Sequence, residues 1–577
     1  MFDIVIRGGE VIDGTGRERV RADVAVSGGK IAAIGRIKER GQEEIDASGC
    51  YVTPGFIDVH THYDAQVFWD PTLSPSCYYG VTTIFGGFCG FTIAPLAPGD
   101  TYLMRMLSNV EEIPIASLKI GVPWSWNSFG EYLAAIQGRL GVNAGFMVGH
   151  SALRRMVMGD RALGDEATPE DLEAMKALLT KSLTEGGMGF STSRSATHND
   201  AEGRPVPSRF ASEAECVALA GMVRDHEGTL LELLPGTDPG PQEAALMTEI
   251  SLAGGRPVNW NALLVNDLSE AELQRVDRML SMSTYARERG AEVVALTIPS
   301  EASARMRLAG GLGFDALPNW APLFALPIPA RIEKLKDAEY RRFLYEQALL
   351  KRGTNLGYLT NWDAVRVETA YSPQYAKCSG MSLAELGRTL GKDPFDAMLD
   401  VAIADELETL FVARFGTDDR EAYAERARLW RDDRTVVGAS DAGAHVESID
   451  TFSYPLKMLE NGVRRHGVME WEAAIQQLTE VPAKLYGLRG RGRLTVGGYA
   501  DFVVLNPKTI GVGPTVLRDD LPGQARRLYS KAIGVDYVGV NGRITVAQGV
   551  HTGALPGQLL RSGKDTYTVT IPGAGRA

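Results

Sequence analysis

The chain has 577 residues and a formal net charge of −12, with 60 lysines and arginines against 72 aspartates and glutamates. That balance does not offer the basic face nucleic acid requires, and 44% hydrophobic with 23% charged residues is the composition of a folded chain with a large core, not a disordered one. The cysteines, Cys50, Cys77, Cys89, Cys216 and Cys378, are odd in number and form no Cys-x-x-Cys pair, which argues against a disulfide framework and for a reducing compartment.

In chain order, residues 1–54 read as short strands separated by glycine turns: DIVIRGGEVI, ADVAVSGGKIAAIG and YVTP. The start, MFDIVIRGGEVIDG, has neither the basic residues nor the apolar run of a signal peptide, so a cytoplasmic protein is expected. No apolar run approaches the ~20 residues of a membrane span, and no membrane partner is expected. Segments near the other end, GRLTVGGYADFVVLN and DYVGVNGRITVAQG, repeat the strand-turn-strand texture, so residues 1–54 and 481–577 are predicted to form one small β-sandwich domain.

Between the ends, strand and helix alternate, the pattern of a parallel sheet with helical crossovers. Eight strands are predicted, at 55–62, 80–90, 142–150, 188–193, 229–235, 256–263, 292–300 and 435–445. Helical stretches such as TPEDLEAMKALLTKSLTEG and SEAECVALAGMVRDHEG open on Thr or Ser and close near Gly, as capped helices do. Eight strands suit a (β/α)8 barrel over residues 55–480. An open doubly wound sheet is the alternative, disfavoured because the fingerprint glycines after its first strand are missing. Residues 301–434 are too long for a loop and are predicted to be an inserted lid or subdomain.

The densest chemical signal is Gly-Phe-Ile-Asp-Val-His-Thr-His, Gly55 to His62. On a strand, His60 and His62 share a face at the carboxyl end, where barrel sites lie, and two imidazoles there can hold one divalent metal. The chain has only eight histidines, so a pair at this spacing outweighs coincidence. Gly438 to His445, GASDAGAH, ends the eighth strand; Asp441 there can ligate a metal and move a proton, or merely cap a turn. In GGFCGF, Gly86 to Phe91, Cys89 is either a zinc-binding thiolate or a small buried hydrophobe.

Taken with Tyr-Asp-Ala-Gln after His62, Gly-Phe-Cys-Gly-Phe-Thr-Ile-Ala-Pro, Gly149-His150-Ser151-Ala152-Leu153-Arg154, Ser440-Asp441, Asp393-Pro394-Phe395-Asp396-Ala397 and the late Gly-Gly-Tyr-Ala-Asp-Phe-Val-Val, the chain resembles the N-acyl-D-amino-acid deacylases (D-aminoacylases) of the amidohydrolase superfamily. The resemblance implies a metal-bearing barrel beside a β-sandwich. It also implies that His60 and His62 are metal ligands, Cys89 a ligand that can be shared between two metals, and Asp441 both ligand and catalytic acid/base. The family's fifth and sixth strands each end in a histidine for a second metal, whereas here they read Leu230-Leu231-Glu232-Leu233-Leu234-Pro235 and Val258-Asn259-Trp260-Asn261-Ala262-Leu263. One zinc per chain is therefore expected, with Glu232 either an added oxygen ligand or a buried carboxylate paired with an arginine.

Tyr63, Trp69, Arg194, His198, Trp260 and Asn261 fall at or beyond strand ends, where side chains can line the mouth and bind substrate. Arg194 can take a substrate carboxylate or sit in a structural ion pair. His150 and His445 are expected to be structural. The expected activity is metal-dependent hydrolysis of a C–N amide bond in an N-acyl amino acid or related small amide. A carbamate, cyclic imide, lactone or ester hydrolase is the second reading, and a non-catalytic binding or assembly barrel the third. A small-molecule substrate is the expected partner, and a homo-oligomer is compatible with the sequence.

Overall fold

The eight central strands form in the predicted order. The computed structural model describes residues 1–573 except 237–238, 312–313, 353–356 and 363–364. Phe56–Asp58 pairs in parallel with Val81–Gly86, which pairs with Asn143–Phe146. The third strand resumes after Met147 as Val148–Gly149, which pairs with Gly189–Ser193. Parallel pairing then runs on through Leu230–Leu234, Val258–Leu263 and Val293–Thr297 to Thr435–Val437. Beyond the ends of the first and eighth strands, a parallel bridge joins Thr61 to Ala442.

These strands are buried along almost their whole length, as parallel strands covered on both faces must be. Val, Ile, Phe and Thr in VTTIFG suit that environment. The covering helices begin where their caps dictate: Thr168 Oγ1 accepts from Asp171 N at 3.2 Å to start Pro169–Thr184, and Ser212 Oγ accepts from Glu215 N at 3.1 Å to start Glu213–Gly221. The first and eighth strands are shorter than predicted, three residues each. The residues beyond them leave the regular ladder to build the site described below.

Both chain ends enter one nine-stranded sheet, in which Tyr51–Pro54 lies between Phe2–Val11 and Phe502–Leu505. Phe502–Leu505 ties this sheet to the rest of the protein. Phe502 and Val504 pack with Ile4, Ile6 and Val52, whereas Val503 and Leu505 on the opposite face enter the main core. The long segment after the seventh strand has a core of its own, which includes Phe314, Trp320, Leu344, Phe395 and Phe411. Its antiparallel sheet joins Ala302–Met306 and Arg366–Thr369 to Leu410–Phe415. Helix Arg420–Trp430 instead buries Tyr423, Ala427, Leu429 and Trp430 in the main core. All five cysteines are buried and free, and among the described residues no helix is long and apolar enough to cross a membrane.

Candidate metal centre

His60 and His62 lie just past the first strand, yet their imidazoles still converge, with ring centroids 5.2 Å apart. The cause is backbone pairing on both sides of the segment. Thr61 N donates to Phe85 O and His62 N to Ala442 O, which keeps the chain extended so that alternate side chains share a face. Cys89 approaches from a tight turn after the second strand in which Cys89 itself has φ 56°. Gly87 makes the turn possible, since a Cβ there would stand 2.5 Å from Met147 O.

Asp441 arrives from the loop after the eighth strand, also with a positive φ of 50°. Its amide donates to His60 O at 3.2 Å. Gly443 has φ 95°, and a Cβ there would meet the His62 carbonyl at 2.7 Å. Any larger residue would push this loop away from the histidines.

The result is a cluster of donors, with Cys89 and Asp441 each beside His60 and Asp441 also near His62. Asp441 Oδ1 lies 3.2 Å from His60 Nε2 and 3.7 Å from His62 Nε2, and Cys89 Sγ lies 3.6 Å from His60 Nε2. Among the described residues, His60, His62 and Cys89 offer ligand atoms all within 4.8 Å of one another. Asn261 adds an amide whose Nδ2 is 3.4 Å from His60 Nε2 and 3.8 Å from Cys89 Sγ. Asn261 Oδ1 is buried without a hydrogen-bond partner among the described residues. Two imidazoles, a thiol and a carboxylate suit zinc in type and number.

Burial keeps the His60 imidazole neutral by lowering its pKa. Burial opposes a proton on His62 too, but Glu111 and Asp441 outweigh it and push its pKa up to about 9. For Asp441, burial works toward protonation, and the hydrogen bonds and charges of His60 and His62 overcome it to hold the carboxyl well below the usual range. The Cys89 thiol is raised far above its ordinary value by burial and by the neighbouring Glu232 carboxylate. Burial raises Glu232 strongly as well.

Among the described residues Glu232 meets no arginine; its Oε2 accepts from Cys89 N at 3.0 Å, and its Oε1 has no hydrogen-bond partner. Trp260 and His198 join His62, Cys89, Asn261 and Asp441 around a pocket of ≈ 220 Å³. Tyr63 and Arg194 are not brought there. The Tyr63 side chain is sealed in the core with its hydroxyl 2.7 Å from Ser76 Oγ, because the chain after His62 turns inward. Arg194 points to Glu213, 3.9 Å away across the neighbouring helix start. Trp69 lines a separate pocket beside Arg518 and Arg527. His150 is structural as expected: Nε2 contacts Glu215 Oε1 at 2.8 Å, and Glu215 is also gripped by Arg154.

Two further residues belong to the site, Glu111, which no sequence pattern marks, and His445, expected to be only structural. Glu111 Oε1 lies 3.2 Å from His62 Nδ1, an outer carboxylate that fixes the ring with Nε2 toward the centre. His445 lines the pocket and is held by Glu112 at 3.4 Å. The only sequence signal was a pair of acids flanked by apolar residues, Val110-Glu111-Glu112-Ile113, with no spacing that links it to His62. Glu111→Gln is expected to weaken zinc binding by about 10- to 100-fold, read by competition with a chromogenic chelator. Unchanged affinity would mean that His62 needs no outer partner.

The model of the Amidohydrolase family matches residues 43–306 and 361–546. An uncharacterized protein of Mycobacterium tuberculosis is 30% identical over 538 residues, covering 88% of this chain and 85% of the relative. The fold superposes on a D-aminoacylase structure, described in terms of one-metal activation and second-metal attenuation, with TM-score 0.65 and 25% identity over 97% of this chain and 100% of that one. It also superposes on N-acyl-D-glutamate deacylase of Bordetella bronchiseptica, solved with zinc and a phosphonate inhibitor, with TM-score 0.61 and 26% identity over 97% and 100%.

Proposed function

From the premise that the chain belongs to the amidohydrolase family, we propose that it is a zinc-dependent hydrolase of amide C–N bonds acting on N-acyl amino acids or related small amides. The observation that carries this reading is the cluster of His60, His62 and Cys89, with Asp441 Oδ1 beside the two histidines, at the wall of a pocket. The eight parallel strands and the Thr61–Ala442 bridge support a closed (β/α)8 barrel over residues 55–480. The nine-stranded sheet supports a small sandwich domain from residues 1–54 and 481–577. Residues 301–434 fit an inserted subdomain beside the mouth, with helix Arg420–Trp430 serving as the crossover into the eighth strand.

His60, His62, Cys89 and Asp441 would hold the ion, and a zinc ion there supplies a Lewis acid that polarises a carbonyl and lowers the pKa of a water toward about 7. Asp441, held ionised by the two histidines, accepts the proton of the attacking water and delivers it to the leaving nitrogen. Glu111 keeps His62 in one orientation. Glu232 supports the Cys89 turn through Oε2 and keeps Oε1 as the further oxygen donor expected from the fifth strand. Trp260, Asn261 and His198 form the wall against which substrate rests.

Protein purified without chelator is expected to contain about one zinc per chain, the number four protein donors suit, and to release free amine from N-acetyl amino acids or their amides. Elemental analysis near two ions would require a second site that uses Glu232 or Asn261. Turnover confined to esters or lactones would replace the amide reading.

A further inference from the structure

The pocket of ≈ 220 Å³ at the candidate metal centre adjoins a larger cleft of ≈ 590 Å³ bordered by the inserted segment, and Thr197, His198 and His445 line both cavities. The two imidazoles at this boundary are anchored. His198 Nδ1 lies 2.7 Å from Ser193 Oγ, and its ring packs on Phe91 with centroids 4.7 Å apart. His445 Nδ1 lies 3.4 Å from Glu112 Oε2. By itself the smaller pocket is below the about 300–1,000 Å³ of sites that enclose a drug-sized ligand, whereas the cleft lies within that range.

The charged side chains that line the cleft are already engaged. Arg305 lies 2.8 Å from Glu368, and Arg307 lies 2.7 Å from Glu447 and 3.8 Å from Glu408. Glu112 holds His445, and Asp315 has a partner as well. The rest of the wall includes a set of apolar side chains: Val110 and Ile113 from the end of helix Tyr102–Val110 and the loop after it, and Ala304 and Leu410 from two paired strands of the inserted segment. Ile115 lines the same cleft and is 37% exposed. An apolar chain laid on such a surface is favoured by about fourfold for each CH2 it buries.

We infer that the cleft is a second subsite of the same centre and takes an extended apolar chain: the substrate is an amide with such a chain on one side of the scissile bond, rather than a short N-acetyl compound. The chain passes the boundary formed by His198 and His445 while the carbonyl rests in the smaller pocket. The inference rests on the amide-hydrolysis reading above and narrows it.

The test uses two matched pairs of racemic substrates on the zinc-loaded wild-type protein, the longer member of each having six more methylenes. N-Acetyl-leucine against N-octanoyl-leucine extends the acyl side; N-acetyl-2-aminobutyrate against N-acetyl-2-aminodecanoate extends the amine side. In one pair the longer member is expected to have the higher kcat/KM by about tenfold or more, a small part of what full burial of the added chain would give. The pair that gains assigns the side of the amide that lies in the cleft. Ala304→Trp, which fills the cleft, should bring that ratio toward one, and Ile115→Asn, at an exposed position, should narrow it in a protein whose core is untouched. Binding is read separately by calorimetry with ketone isosteres of the four compounds, in which CH2 replaces the scissile NH. Tighter binding of a longer isostere without turnover of any substrate would uphold the subsite and remove the hydrolase reading. Equal or poorer use of the longer member in both pairs would overturn the subsite and leave hydrolysis standing. Binding of none of the isosteres would also overturn it.

Discussion

Asp441→Asn is expected to lower kcat by about 10³- to 10⁴-fold, the upper range for loss of a positioned acid/base. The substitution keeps the size of the side chain and one oxygen. The loop should keep its place, because it is fixed by backbone: Asp441 N donates to His60 O, His62 N to Ala442 O, and Gly443 packs on the His62 carbonyl. What is lost is the charge that receives a proton. Zinc should remain bound through His60, His62 and Cys89, with weaker affinity. Single-turnover amine release together with metal analysis separates the two effects. Near-native activity in zinc-loaded Asp441→Asn would show that the proton moves through another group.

Zinc affinity is expected to fall steeply as the pH is lowered from about 9. In the metal-free chain, Glu111 and Asp441 keep a proton on His62 up to about pH 9, against the effect of burial. Cys89 is a neutral thiol, since burial and Glu232 both oppose the thiolate. Both groups must lose a proton to act as ligands, so binding at neutral pH releases up to about two protons per ion. Each unit of pH below about 9 then costs up to about 100-fold in apparent affinity, ten for each proton displaced. The sign follows from the raised pKa values: protonated forms dominate on the acid side and compete with the ion. Calorimetry of zinc binding in buffers of different ionisation enthalpy counts the protons directly. Affinity flat between pH 6 and 9, or no protons released, would show that Cys89 and His62 do not bind the ion. Cys89→Ser would reduce the count by one if the thiol is one of the two sources.

Short-range pattern explains why the candidate ligands were legible. His60 and His62 are two residues apart on an extended segment, and that spacing alone puts both rings on one face. Cys89 and Asp441 stand out for a different reason. Each sits among glycines, and the turns that aim them need positive φ, which the motifs GGFCGF and GASDAGAH advertise. The eight strands were visible for the same kind of reason: apolar runs of strand length, cut by turn residues and separated by capped helices. Ends were less legible, since the first and eighth strands stop at Asp58 and Val437, before the site residues. Propensity continues through those residues, but only isolated backbone bonds hold them, Thr61 N to Phe85 O, His62 N to Ala442 O and Asp441 N to His60 O.

The sequence by itself determined the strand and helix order, the strand character of the two chain ends, and the residue types at the candidate metal centre, because each of these is written in local periodicity and spacing. Only the tertiary structure decided which side chains share the pocket. Glu111 is 49 positions from His62 and reaches it from the carboxyl end of helix Tyr102–Val110; Arg194 and Tyr63 stand at strand ends yet turn to Glu213 and Ser76. The lining of the neighbouring cleft was equally hidden, since Glu112, Arg305, Glu408 and Glu447 come from separate segments of the chain. Side-chain direction at a loop is set by the partners it meets, and electrostatic potential by the sum over all of them. Neither quantity exists until the chain has folded.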